Sequence, residues 1–231
     1  MTEPLILLPG MMCDARLYVP QLAAFSHERP ITVAPIGNHD TVSALAAEVL
    51  AHAPARFALA GLSMGGIVAM EVIRQAPDRV TRLALLDTNP KAEAEAIKHM
   101  REPQIAKVQN GQLRDVMRDV MKPNYLTDGP RTEQILDLCM AMAETCGPDV
   151  FIRQSRALQS RPDQQDTLRQ VRVPTLILCG EDDALCPIHR HTLMHDLVAG
   201  SKLEIITKAG HLPTLEQPDA TNKALSRWLT Q

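Results

Sequence analysis

Apolar residues follow two rhythms along the first part of the chain. Short unbroken runs, Leu5-Ile6-Leu7-Leu8, Ile31-Thr32-Val33-Ala34, Phe57-Ala58-Leu59-Ala60 and Arg82-Leu83-Ala84-Leu85-Leu86-Asp87, have the length and composition of buried strands. Between them apolar residues recur every three or four positions. Leu17, Val19, Leu22 and Phe25 mark one such stretch, and Val42, Leu45, Ala46, Val49 and Leu50 another, with Asp40 or Thr41 placed to cap it. A third, Ile67-Val68-Ala69-Met70-Glu71-Val72-Ile73-Arg74, reads as a buried helix stopped at Pro77. Strands this apolar, separated by helices, predict a parallel sheet covered on both faces.

The alternation breaks between about Thr88 and Arg169. No strand candidate occurs there, and helical stretches fall at roughly 90–110, 112–121, 131–145 and 148–160. Gly111, Pro123, Gly129-Pro130 and Gly147-Pro148 punctuate them. The first rhythm then returns with Val173-Pro174-Thr175-Leu176-Ile177-Leu178-Cys179, a helix around 188–199 closed by Gly200, and Leu203-Glu204-Ile205-Ile206-Thr207. A last helix starts near Pro218 and carries Thr221, Ala224, Leu225 and Trp228 on one face. The expected architecture is an α/β core from residues 1–88 and 170–231. Residues 89–169 form a helical cap inserted over the strand ends.

Chemistry enters at Gly61-Leu62-Ser63-Met64-Gly65-Gly66, between a strand and a helix. Strand, G-x-S-x-G and helix together suit a nucleophile elbow, a turn so sharp that the serine backbone is strained and its oxygen stands above the sheet. Gly61 and Gly65 sit where a Cβ would collide with the neighbouring element. The plain alternative is a tightly packed turn with a serine N-cap. His211 favours the first reading. It alone among eight histidines lies on a strand-end loop beside a glycine after the candidate nucleophile, in Ala209-Gly210-His211-Leu212-Pro213. An acid is offered by Glu181, Asp182 or Asp183 after the preceding strand, with Asp87 at the end of the fourth strand as a rival. The loop Leu8-Pro9-Gly10-Met11-Met12 could supply one backbone N–H of an oxyanion hole and Met64 the other, with Gly10 permitting the unusual backbone that turns an amide inward.

Composition removes other classes. The chain has 231 residues, 45% hydrophobic, with a net charge of -3, which supplies no basic surface for nucleic acid or membrane. No apolar run approaches the length of a membrane span, and the start Met1-Thr2-Glu3-Pro4 lacks signal-peptide features. Five cysteines without metal-type spacing suit a reducing cytoplasm. No glycine fingerprint, P-loop or metal cluster is present, so no cofactor and no metal are expected.

Together these residues resemble the α/β-hydrolase family, in its capped esterase and lactonase form. The resemblance rests on Leu-Leu-Pro-Gly at 7–10, Gly-Leu-Ser-Met-Gly-Gly at 61–66, Val-Pro-Thr-Leu at 173–176, Gly180-Glu181-Asp182-Asp183 with Pro187, and Gly210-His211 with Leu215-Glu216-Gln217-Pro218. It implies Ser63 as nucleophile, His211 as base, and the Met11 and Met64 amides as oxyanion donors. The G-x-x-D-x-x-x-P spacing implies Asp183 as the acid. Pro9 stands where the family commonly has His, and Gly37-Asn38-His39-Asp40-Thr41 replaces its usual G-H-G-x-S. The chain begins at the family's third strand, which implies six parallel strands and no leading hairpin.

The expected function is cofactor-free hydrolysis of a small carboxylic ester or lactone through an acyl-enzyme on Ser63. Transfer of the acyl group to another acceptor, thiol or peroxide, keeps the same triad. A binding protein that retains the fold without turnover is disfavoured, because binding does not require Ser, Asp and His together. For the substrate pocket the candidates are Met12, Met121 and Met140, although core packing is the plainer account of cap methionines. Arg153 and Arg156, three apart on a cap helix, could bind a substrate carboxylate or simply face solvent. The physiological substrate and the oligomeric state stay open at this level.

Overall fold

The computed structural model describes residues 2–121 and 125–231, with the backbone alone at Met121. Six strands, β1 (Leu5–Leu8), β2 (Ile31–Val33), β3 (Phe57–Leu62), β4 (Val80–Leu86), β5 (Thr175–Gly180) and β6 (Lys202–Ile206), form one sheet in the order β2-β1-β3-β4-β5-β6. Every pairing is parallel, with Leu7 opposite Ala60 and Gly61 opposite Leu85 at the centre. The four inner strands are apolar and largely buried; the edges β2 and β6 carry exposed polar residues such as Thr32 and Lys202. That is how a sheet closes its rims to further pairing.

Side-chain alternation divides the core into two layers. Leu5, Leu7, Ala58, Ala60, Ala84, Leu86, Leu176 and Leu178 face one side, where they meet α1 (Val19–Phe25), α6 (Thr132–Cys146) and α10 (Pro218–Leu229). Ile6, Leu8, Phe57, Leu59, Leu83, Leu85 and Ile177 face the other, against α2 (Val42–His52), α3 (Met64–Gln75), α8 (Gln165–Gln170) and α9 (Ile188–Leu197). Thr41 supplies the cap of α2, its hydroxyl accepting from Ala44 N–H at 3.3 Å.

Between β4 and β5 the described residues form helices only: α4 (Glu95–Gln109), α5 (Leu113–Val116) continued by a π-helical turn (Met117–Met121), α6, α7 (Pro148–Gln159) and α8. α4 opens five residues later than the apolar spacing suggests. Asn89 turns the chain by accepting from Lys91 N–H at 3.1 Å, and the Pro90 carbonyl accepts from Gln164 N–H at 2.8 Å, so both ends of the insertion are tied before the first helix begins. α8 has six residues, too few for a helical rhythm to show. No helix among the described residues is long and apolar enough to cross a membrane.

Candidate active site

Parallel strands present their C-terminal ends on one rim, where loops after β1, β3, β4, β5 and β6 converge. Ser63, between β3 and α3, has φ 55° and ψ -117°, a strained backbone for a residue with a side chain. The glycines around it are required sterically. A Cβ on Gly61 would lie 2.2 Å from the Gly65 carbonyl oxygen, and one on Gly65 would lie 2.1 Å from that of Leu8. Hydrogen bonds pin the turn: Ser63 N–H donates to Leu86 O at 2.9 Å, and Ser63 O accepts from Gly66 N–H at 2.9 Å and the Thr88 hydroxyl at 2.7 Å.

His211 Nε2 lies 2.9 Å from Ser63 Oγ, and His211 Nδ1 lies 2.8 Å from Asp183 Oδ2. The other Asp183 oxygen accepts from Leu185 and Cys186 N–H, each at 2.9 Å. Burial raises the Asp183 pKa, but His211 and the Cys186 amide outweigh it and hold the carboxyl below its ordinary range. Asp182 points away, exposed, and accepts from the Thr127 hydroxyl at 2.9 Å. Asp87 also lies off the His211 line. One of its oxygens accepts from Gly180 N–H at 2.9 Å, and burial together with the Asp183 charge pushes its pKa well above the ordinary carboxylate range.

Neither Met11 N–H nor Met64 N–H donates to any described residue, which leaves two amides free beside Ser63. The loop geometry differs from expectation at one residue. Gly10 does not adopt a positive φ; Met12 does, at 56°. The reason is Gln154 on α7, whose Oε1 accepts from Met12 N–H at 2.9 Å while its Nε2 donates to Ile36 O at 3.0 Å. The bond holds the Met12 amide on Gln154 and away from the Met11 amide.

Two groups, half-buried Glu216 and buried His191, have roles that the sequence reading did not assign. Glu216 accepts from Gly210 N–H at 2.9 Å, Leu212 N–H at 3.0 Å and Thr127 N–H at 2.9 Å, clamping both sides of His211. His191, fully buried on α9, accepts from Thr88 N–H at 3.1 Å and so braces the residue that holds Ser63 O. Burial pushes its pKa down to about 4, against the pull of Asp183. Glu216 lies in the Leu215-Glu216-Gln217-Pro218 motif, but its role shows only in the amides it holds, and the partner of His191 lies 103 positions away.

The methionine candidates separate. Met12 is fully buried in one cluster with Met11, Met64, Met117 and Met140, while the side chain of Met121 lies outside the described residues. Met140 also lines a surface hollow of about 420 Å³ with Arg114, Arg118 and Glu144. The two arginines singled out by spacing are bound within the protein: Arg153 donates to Gly37 O at 2.7 Å, and Arg156 pairs with Glu102 and Gln159. Asp183, Cys186 and His211 bring three donor atoms within 4.8 Å of one another, a cluster the spacing does not reveal. Its chemistry fits a metal poorly. The carboxylate and imidazole are already bonded to each other, and burial keeps the Cys186 thiol protonated.

A model of the alpha/beta hydrolase family matches residues 5–224. The chain belongs to that family. It is similar to a pimeloyl-[acyl-carrier protein] methyl ester esterase of Neisseria meningitidis, at 24% identity over 81% of this chain and 74% of the relative. It is also similar to a putative 2-succinyl-6-hydroxy-2,4-cyclohexadiene-1-carboxylate synthase of Bacillus subtilis, at 27% identity over 74% and 65%. Among solved structures, a thermophilic esterase of Thermogutta terrifontis superposes with a TM-score of 0.89 at 24% identity, covering 100% of this chain and 90% of its own. The enol-lactonase of Burkholderia xenovorans does so at 0.88 and 21%, covering 100% and 92%. This member of the family therefore carries its fold along the whole described chain.

Proposed function

We propose that this α/β hydrolase is a serine hydrolase that cleaves a small carboxylic ester or lactone through an acyl-enzyme. The observation that carries the reading is the unbroken line Ser63 Oγ, His211 Nε2, His211 Nδ1, Asp183 Oδ2, with links of 2.9 and 2.8 Å. Ser63 attacks the carbonyl carbon while His211 takes its proton. Asp183 fixes the tautomer of His211 and stabilises the imidazolium. The developing alkoxide accepts from the Met11 and Met64 amides, which no protein group occupies. His211 returns the proton to the leaving oxygen, then activates water to release the acid. No cofactor or metal enters these steps.

Residues 89–169 serve in this reading as the cap. Met12 and Met140 form its apolar wall, and the names of the esterase and lactonase relatives fit an ester or lactone substrate. Hydrolysis of a panel of activated esters and lactones by the purified protein and by Ser63→Ala tests it. The wild type is expected to turn over at least the smallest ester, with a loss on the order of 10^6 in kcat in the variant. A folded Ser63→Ala protein of comparable activity would overturn the reading.

A further inference from the structure

A buried excess of positive charge lies beside Met11, the residue after Gly10, which packs against Ser63. Glu93, on the segment after β4, accepts through Oε2 from Arg101 Nε at 2.9 Å and Nη2 at 2.7 Å, while its Oε1 lies 3.0 Å from Arg161 Nη2. Side-chain exposures are 5% for Glu93, 13% for Arg101 and 9% for Arg161. One carboxylate thus faces two guanidiniums, leaving one positive charge without a partner where water is largely excluded. Buried charges are costly unless compensated, so an uncompensated one points to a missing partner.

The spare donors agree. Arg161 Nε is buried and bonds to no described residue. Arg101 Nη1 meets only the Met11 thioether, at 4.0 Å, a weak acceptor. Burial, and then the neighbouring Arg101 and Arg190 charges, pull the Arg161 pKa below the ordinary guanidinium range. The location also agrees. Met11 carries one of the two free amides, and the charge of Arg101 reaches Tyr125, whose ring centroid lies 6.1 Å from that of His211. Arg161 also lies within electrostatic range of Cys186, whose amide is bonded to Asp183.

We propose that Arg101 and Arg161 form a carboxylate-binding subsite, so that the substrate is a half-ester of a dicarboxylic acid or a lactone bearing a carboxylate. A single excess charge matches a carboxylate better than a dianionic phosphate, and the planar guanidinium fork already takes one carboxylate, that of Glu93, in this geometry. The inference rests on the proposed ester or lactone hydrolysis, and it specifies what the substrate carries at its far end.

The test compares mono-p-nitrophenyl glutarate with p-nitrophenyl pentanoate, which has the same chain length and no charge. Wild type is expected to favour the charged ester about 10–100-fold in kcat/KM, mostly through KM. In Arg161→Gln the ratio of the two esters is expected to approach one, and in Arg161→Lys to stay between. Equal handling of both esters by wild type overturns the proposal. So does an Arg161→Gln protein that loses both activities and keeps the ratio, since that marks a purely structural ion pair. Calorimetric titration of the wild type with glutarate, and with inorganic phosphate as the control anion, separates this inference from the hydrolytic reading. Glutarate binding that vanishes in Arg161→Gln supports the subsite even if neither ester is cleaved; no glutarate binding, or tighter phosphate binding, contradicts it.

Discussion

The strand-end loops and the helical insertion hold their functional groups in different ways. Along the rim of the sheet, charged side chains grip backbone amides: Asp183 takes those of Leu185 and Cys186, and Glu216 takes those of Thr127, Gly210 and Leu212. In the insertion, many ionic contacts are exposed pairs between side chains, such as Arg156 with Glu102 and Lys98 with Glu95. Buried bolts are fewer: Gln154 to Met12 and Ile36, Gln164 to Glu71, and Glu93 to Arg101 and Arg161. A carboxylate that fixes amides fixes backbone position, which triad geometry needs. An exposed ion pair contributes little and leaves its helices free to adapt. On the proposed function, the rim supplies precision and the insertion selectivity.

The largest expected effect lies on the rim. Asp183→Asn keeps the shape but lets His211 take the wrong tautomer, so kcat is expected to fall around 10^4-fold. Asp182→Asn, which alters an exposed carboxylate, is expected to stay within a few fold. Equal behaviour of the two variants would erase the distinction between the buried and exposed acids. Glu216→Gln should come next. Removing the charge weakens bonds to three amides, with a loss of about 1–3 kcal/mol in stability and a fall in kcat with KM little changed. An unaltered melting curve would show that the His211 loop does not depend on this clamp.

The third effect is one of pH. His191 has a folded pKa of about 4, below its ordinary 6.5, so the fold favours the neutral ring. The unfolded chain takes up that proton as pH falls through 6.5 and the native state does so only near 4. The stabilising contribution is therefore complete above about pH 6.5 and is lost on acidification across that window, on the order of 3 kcal/mol. His191→Gln retains an acceptor for Thr88 N–H and has nothing to titrate. Urea unfolding from pH 7 to pH 4 should show a shallower slope for the variant, and parallel slopes would remove His191 from the account. The smallest effect belongs to the insertion: Arg156→Ala should change stability by less than about 0.5 kcal/mol. A change of several kcal/mol there would mean that the insertion, too, is held by its surface pairs.

The same contrast explains what was legible in the sequence. Six strands, their order along the chain and the Ser63 turn could be read because local sterics dictate the residues: a Cβ at Gly61 or Gly65 would strike backbone. The resemblance, through its G-x-x-D-x-x-x-P pattern from Gly180 to Pro187, pointed to Asp183, whose Oδ2 lies 2.8 Å from His211 Nδ1. Illegible were groups whose partners are remote in sequence. Gln154 meets Met12 across 142 positions, and His191 meets Thr88 across 103. The positive φ of Met12 follows from the first of these contacts, which is why Gly10 looked like the special residue. Arg153 and Arg156 drew attention by their spacing, whereas the unbalanced guanidiniums, Arg101 and Arg161, lie 60 positions apart and converge only through Glu93.

The central claim is that Ser63 is a nucleophile activated by His211. Intact-protein mass spectrometry after treatment with a fluorophosphonate, followed by peptide mapping, tests it most directly. One adduct on the peptide containing Ser63, slowed by orders of magnitude in a folded His211→Ala variant, is the predicted result. An adduct on another residue, or labelling of Ser63 at the same rate without His211, would contradict it.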